Sequence, residues 1–523
     1  MEARSHAYVL DEPGPRLPGR VRDELMTIFA VDEDRGVTRV RRTWLDTFDW
    51  RLYRAGLTLQ HAGPRGHGEL VLTGAAGQQL TARFADPARP ARWPCPPGAL
   101  PPGPLRDQVA AVAGLRALLP VVTAVSQLHE VRLRNADDKT VTRIAVDAMA
   151  LPGPCPGSLP TRLAVTGVRG YPGAARRACR LLADTAGVAH SGQTALDAAL
   201  HAAGRHALDY TGKVDVALGP GMPGAEAVTA ILLQQLDTLE ANVDGVLHDT
   251  DTEFLHDLRI AVRRTRSALK LLGDMLPGEL TLRFASEFRW LGDITTPLRD
   301  LDVQLMSVPP MAAGLVAARA ADLDPFLAYL ACRRTAEGRK LSRALRSARF
   351  AAVAGDWRKA LLVPRETRGR SGLRAAGLSA DRTRRAYGRV LKLGSAITPG
   401  SPPESLHTLR KRGKELRYVL EFFASLHDPQ AYRAVLSDLK RLQDCLGDFQ
   451  DSQVQQEEIQ SLAAAMLAAG AAPAPTLLAM GELAAHLGLR QRQARAEFAE
   501  RFAGFAGNSG RRRMAALTGK DPG

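Results

Sequence analysis

Two stretches of this chain, 151 residues apart, repeat each other without a gap, and that duplication limits the fold more than any other feature. FLHDLRIAVRRTRSAL (254–269) falls on SLHTLRKRGKELRYVL (405–420), and FRWLGDITTPLRDLDV (288–303) falls on LKRLQDCLGDFQDSQV (439–454). Leu291 and Asp293 meet Leu442 and Asp444, and Asp300 meets Asp451. Self-similarity over this distance implies two copies of one supersecondary unit, a helical hairpin or small bundle duplicated within a domain.

Within the first segment of each copy the cations are spaced for a helix. His256, Arg259, Arg263, Arg266 and Lys270 step by 3, 4, 3, 4, and His407, Arg410, Lys414 and Arg417 repeat the step. That spacing puts each set on a single helical face, a cationic stripe roughly 20 Å long at about 1.5 Å per residue. An apolar stripe runs one residue ahead, through Leu255, Leu258, Val262 and Leu269 and later Leu406, Leu409, Leu416 and Leu420. One residue is about 100° of helix turn, so the cations lie beside the buried seam, on the shoulder where packed helices form a groove. Like charges at i, i+4 cost a few tenths of a kcal/mol per pair. Acidic neighbours or a bound polyanion must offset such a row; the plain alternative is a solvated basic face. The carboxylates of the second segment (Asp293, Asp300, Asp302; Asp444, Asp448, Asp451) are placed either to ligate a divalent metal or to pair with arginines of the preceding helix and fix their rotamers.

The 523 residues suffice for two or three domains, and a formal net charge of +15 with a pI near 10.0 calls for an anionic partner or surface. The basic excess is concentrated after residue 250, in CRRTAEGRKLSRALRSARF (332–350), RETRGRSGLR (365–374) and DRTRRAYGR (381–389) as well as the striped segments. Five scattered cysteines without a CxxC pair suggest neither a disulfide framework nor a zinc site. The N-terminus has no apolar signal core and no run of about 18 apolar residues occurs, so a reduced cytoplasm and no membrane are expected.

Two textures divide the chain. Residues 1 to about 215 read as mostly β: ELMTIFAV (24–31), LTLQHA (57–62), ELVLTG (69–74), LHEVRLRN (128–135) and VTRIAVDAMAL (141–151) have strand composition. PLRDQVAAVAGLRALLP (104–120) and GAARRACRLLADTAGV (173–188) read as helices, and the proline-rich run at 85–104 as a stiff spacer. From about 225 to 510 the texture is helix after helix, with GPGMPG (219–224) as the expected hinge. The fold class is therefore α+β in two domains.

The quoted helical motifs, present in both halves, resemble the CHAD family, the conserved histidine α-helical domain. That resemblance implies an all-α domain of two pseudo-symmetric helical bundles with a basic groove that binds inorganic polyphosphate. By the likeness, His256, Arg259, Arg263, Arg264, Arg266 and Lys270 from the first copy and His407, Arg410, Lys411, Lys414, Arg417 and Lys440 from the second line the groove. The place of Lys270 is taken by Glu421 in the second copy. Residence at polyphosphate granules follows from the likeness alone.

The first half is similar to a CYTH domain, an antiparallel β-barrel often fused ahead of CHAD. WLDTFDWRLYRAGLTLQ (44–60) resembles that family's DT-x-x-x-L segment, and VRLRNADDKTVTRIAVD (131–147) a later hairpin. The family's ExExK, which holds a metal and meets the triphosphate, is missing: residues 1–215 contain six glutamates, none spaced two apart, and only Lys139 and Lys213. Catalysis by the usual route is not expected, and no cofactor is called for, Mg²⁺ entering only if this domain is active. Arg39, Arg41, Arg42, Arg132 and Arg134 either bind phosphate or decorate strands.

Three functions compete at this point. The first is a polyphosphate-binding protein without chemistry of its own. The second is an inorganic triphosphatase in the N-terminal domain. The third is nucleic-acid binding, which explains the charge equally well but lacks stacking platforms, since aromatics are 5% of the chain and are not interleaved with the basic runs. The histidines suit a neutral packing role, a phosphate contact as cations, or both in turn near pH 6.5.

Overall fold

The computed structural model describes residues 6–33, 36–63, 68–84, 92–153, 159–363 and 372–519. The chain divides into two compact units, Met1–Thr211 and Gly212–Gly523. Most of the arginine-rich link at 365–374 and the start of the proline-rich run at 85–104 lie outside the described residues.

The first unit holds strands β1 (His6–Leu10), β2 (Ala30–Glu33), β3 (Thr38–Asp46), β4 (Leu57–Gly63), β5 (Glu69–Gly74), β6 (Gln79–Arg83), β7 (Leu119–Arg134), β8 (Thr140–Ala150), β9 (Thr161–Gly167) and β10 (Val188–His190). Its helices are α1 (Gly19–Met26), α2 (Arg51–Arg54), α3 (Pro104–Ala113), α4 (Pro172–Asp184) and α5 (Ala195–Ala202). The strands form one antiparallel sheet in the order β10-β1-β9-β8-β7-β3-β4-β5-β6. Among the described residues its hydrogen bonds run as an open path with β10 and β6 at the ends. The long strand β7 pairs with β8 along one edge and with β3 and then β2 along the other. Side chains alternate across a strand, so Val122 and Ala124 of β7 enter a core on one face, with Trp44, Trp50 and Leu200, while Val131 and Leu133 enter a core on the opposite face, with Val21, Leu25 and Leu182.

Two local expectations are corrected here. The stretch 24–31 is mostly not strand, because Val21, Leu25 and Phe29 recur at i, i+4 and are buried while Met26 and Ile28 point outward; α1 forms and only β2 is extended. The helix expected at 104–120 stops at Ala113, where Gly114 takes φ +59° and its N–H closes on Ala110, and the chain turns into β7.

The second unit is helical: α6 (Gly224–Leu247), α7 (Thr252–Leu272), α8 (Gly278–Ala312), α9 (Asp324–Leu345), α10 (Ala348–Leu362), α11 (Ala375–Ser395), α12 (Pro403–Phe422), α13 (Pro429–Ala468), α14 (Ala474–Ala506) and α15 (Asn508–Thr518). The starts of α6, α7 and α8 recur 151 residues later as the starts of α11, α12 and α13 (Gly224 and Ala375, Thr252 and Pro403, Gly278 and Pro429). In each copy every helix packs on the next. One core joins the copies, with Leu301 and Val308 of α8 and Phe326 and Leu330 of α9 set against Ile459 and Met466 of α13 and Leu483 of α14. GPGMPG is pinned rather than hinged: Met222 accepts from the Ala375 N–H (2.8 Å) and the Gly224 N–H donates to Leu373 (3.0 Å). No helix among the described residues is long and apolar enough to cross a membrane.

Candidate anion-binding site

The two striped segments are α7 and α12, and the helices pack against each other. Asp251 starts α7 by accepting the N–H of Glu253 and Phe254, and Pro403 opens α12. The apolar stripes sink Leu255, Leu258 and Val262 on α7 and Leu406, Leu409 and Leu416 on α12. The cations are thereby left on the shoulder of the contact.

Cations of both copies meet there. Arg263 of α7 lies over the ring of Tyr418 of α12, 5.8 Å from its centroid. Burial and the positive charge of Arg410 and Arg263, with a smaller contribution from Arg417, push the Lys414 ammonium down to about 8 against the partial relief of Asp451. Arg259 donates to the hydroxyls of Thr295 (3.2 Å) and Thr296 (2.8 Å) on α8. Burial holds its guanidinium below the ordinary arginine range, with Arg263 and Arg299 adding to that and Asp300 opposing. His256 is held below the ordinary histidine range by burial and then by Arg299, so its imidazole is neutral at pH 7. Asp300 is raised, again by burial, against Arg259 and Arg299.

Several other cations of α7 and α12 are committed to internal partners. Arg264 is only 8% exposed; it donates to the Gly212 carbonyl (2.7 Å) and to Glu421 (3.0 Å). Arg417 donates to the other oxygen of Glu421 (2.6 Å), so the residue standing where the first copy has Lys270 bridges the two copies. Lys270 pairs with Glu415 (2.7 Å) and Arg412 with the same carboxylate (2.8 Å). Burial would raise Glu415, yet Arg412 and Lys270 outweigh it and hold the carboxyl below its usual range. Arg410 makes a two-pronged pair with Asp451 (3.0 and 3.2 Å). Arg266 is exposed and crosses α8 at Gly292, where an added Cβ would sit 2.7 Å from its Nη1. His407 is half-buried one turn before Arg410, and Lys411 and Lys440 are exposed and make none of these cross-helix contacts among the described residues.

Sequence reasoning missed Arg299, whose Nη1 donates to the Thr252 carbonyl (3.1 Å) and whose charge reaches both His256 and Arg259. It stands beside Asp300 on α8 and carries no partner in the second copy, where Gln450 takes its place. Tyr418 and the counter-ion Glu415 carry no signal in the sequence, and Glu421 reads only as a break in the second stripe, since their roles appear only when α7 and α12 are brought together.

In the first unit the arginines face carboxylates: Arg42 pairs with Asp147 (2.8 Å), Arg132 with Glu130 (2.9 Å), and Arg134 with Asp32 and Asp138; Arg39 and Arg41 are exposed. Asp46 of the DT segment is buried, where it accepts the N–H of Thr47, Leu52 and Tyr53 and so starts α2; burial raises it to about 6 despite these bonds. Among the described residues no group of three or more His, Cys, Asp or Glu side chains is placed to hold a metal ion. With Asp147, Glu130 and Asp32 already turned to guanidinium groups, this sheet does not fit the carboxylate-held divalent cation of a CYTH enzyme.

Several solved structures are similar to this chain. The CHAD domain from the plant Ricinus communis is 26% identical, with 58% of this chain and 96% of that one covered and a TM-score of 0.43. PptA from Streptomyces chartreusis is 18% identical, covering 54% and 99% at a TM-score of 0.41. A Hippeastrum protein described as an adenylyl cyclase candidate with dominant triphosphatase activity is 13% identical, covering 40% and 100% at a TM-score of 0.26. No curated protein matches the chain. The CHAD family model matches residues 230–460, the stretch that carries α7, α8, α12 and most of α13. Residues 230–460 of the helical unit therefore carry a match to the CHAD domain.

Proposed function

We propose that the helical unit binds inorganic polyphosphate along the α7/α12 contact and performs no chemistry on it. The observation that carries this reading is the gathering of Arg263 and Lys414 from opposite copies with no ion-pair partner among the described residues, where burial and then the neighbouring cations Arg410 and Arg263 depress Lys414 to about 8. A half-buried lysine crowded by arginines is costly to keep charged; a polyanion laid along the groove removes that cost by supplying several negative charges at once. Arginine forks suit phosphate oxygens, and a chain of phosphates matches a row of cations better than one isolated anion does. A polyphosphate-bound protein of this kind belongs at polyphosphate granules.

The test is a titration of the full chain with polyphosphate of defined length, following binding and, with Mg²⁺ present, phosphate release. Binding without release is expected, falling by on the order of 0.7 log units per phosphate contact per decade of salt. The variant R259A/R263A/R410A/K414A should lose binding while keeping its helical circular dichroism. Binding that survives in this variant refutes the groove. Release of phosphate favours the triphosphatase, and preference for RNA at equal phosphate concentration favours a nucleic-acid protein.

A further inference from the structure

The α7 stripe does not end in open solvent. Lys270 forms one wall of a cavity of about 220 Å³, whose other lining residues are Leu271, Asp274, Arg382 and Arg389 of α11, and Val419 of α12. We infer that this cavity takes the terminal phosphate of a polyphosphate chain whose interior lies along the α7/α12 contact, an inference that rests on the function proposed above.

Size, charge and continuity support it. The volume is below the ~300–1,000 Å³ of pockets that enclose drug-sized organic ligands, and suits a phosphate group with its hydration. Three cations and one carboxylate line the space. Arg382 is positioned by Asp274, which lines the same cavity, and by Asp381, and its Nε is buried without a hydrogen-bond partner. Such a donor is costly to leave unmade. Lys270 is steadied by Glu415 (2.7 Å), while Arg389 is exposed and has no ion-pair partner among the described residues. The wall formed by Leu271 and Val419 is apolar and lowers the local dielectric around an anion. A terminal phosphate suits these donors better than an interior one. It carries a second ionisable oxygen with a pKa of about 6, hence more charge at pH 7, and three free acceptor oxygens. Lys270 belongs both to the stripe and to the cavity, so one chain can follow the groove and end here.

The experiment compares a short free-ended polyphosphate with the same chain blocked at both ends as alkyl phosphodiesters, each titrated against wild type, Arg389→Ala and Arg389→Glu. Wild type should prefer the free-ended chain by about tenfold, the size of one or two charge-assisted hydrogen bonds. Both Arg389 variants should lose that preference yet keep the wild-type affinity for the blocked chain. Equal wild-type affinity for the two chains overturns the inference and leaves the groove standing. A preference that persists in both variants places the chain end elsewhere and overturns it too. Orthophosphate titrated into the wild type distinguishes the remaining source: Arg389-dependent saturation by orthophosphate with no end preference would make this a free-phosphate site. If neither chain binds wild type at all, the groove reading falls and this one with it.

Discussion

The two copies of the helical repeat share a backbone plan but neutralise their cations differently. In the first copy Arg259 rests on two threonine hydroxyls, and Arg299 stands beside it. In the second, Gly447 and Gln450 occupy the places of Thr296 and Arg299, and Arg410 turns to Asp451. The first copy ends its stripe in Lys270, the second in Glu421, which holds Arg264 and Arg417 together. Neutral hydroxyls fix an arginine without cancelling its charge; carboxylates fix it and cancel it. At these equivalent places the first copy therefore leaves Arg259 to present its charge, while Asp451 offsets Arg410 and Glu421 locks the α7/α12 contact.

The largest expected effect breaks that lock. Glu421→Lys gives the second copy the residue of the first and leaves the buried Arg264 facing a like charge. Removing one partner of a buried pair costs about 3–5 kcal/mol, so the denaturation midpoint should fall sharply. Lys270→Glu in the first copy changes a side chain that is 58% exposed, and it should shift the midpoint far less. Equal midpoints for Glu421→Lys and wild type would show that Glu421 locks nothing.

Arg259 and Arg410 occupy equivalent places and should not contribute equally to binding. Arg259→Ala removes charge that no carboxylate pairs with at close range, and polyphosphate affinity should fall by about thirtyfold, on the scale of a charged hydrogen bond. Arg410→Ala removes charge already shared with Asp451 and should cost about threefold. Isothermal titration at one fixed salt concentration decides it, and equal losses would erase the proposed division between the copies.

Much of this architecture is legible in the sequence because the duplicated unit is regular. The 151-residue offset carries the helix starts, and the 3, 4 spacing places Arg263 and Lys414 beside the buried seams of α7 and α12. What the sequence does not contain is which helix of one copy meets which of the other. Glu421 reads as a gap in a basic stripe until α7 and α12 are side by side; then it is a bridge. Arg264 reads as one more groove cation, yet it lies about 100° of helix turn from Arg263 and is buried against Gly212 and Glu421. In the first unit, the strand composition of 24–31 misleads because the buried spacing Val21, Leu25, Phe29 outweighs it. The helix at 104–120 is overextended because the apolar run continues past Gly114 into β7, and only the backbone at that glycine marks the stop.

A smaller effect concerns pH. Lys414 in the free protein loses its proton through about pH 8, whereas a bound polyanion favours the charged ammonium and holds that proton to higher pH. Binding above pH 8 therefore takes up a proton, and affinity declines as pH rises, by at most about one log unit per pH unit. Lys414→Arg keeps its charge throughout and should give a flat profile from neutral pH to well above 8. A wild-type profile equally flat would mean that the ligand does not approach Lys414.

The smallest effect sharpens the comparison most directly, because it asks whether the second copy can be made to behave like the first. Asp451 is 61% exposed and Arg410 16%, so their pair is worth little to folding, up to about 1 kcal/mol. Asp451→Asn keeps a hydrogen-bond acceptor for Arg410 but removes the competing charge, much as Thr296 does for Arg259. Polyphosphate affinity should rise by about threefold, with the thermal midpoint nearly unchanged and a steeper dependence on salt. Asp300→Asn at the equivalent place in the first copy should do less, because burial already disfavours the charged form of that carboxyl. If Asp451→Asn weakens binding instead, then Asp451 orients Arg410 for the ligand rather than competing with it, and the two copies differ in how they hold an arginine but not in what they hold it for.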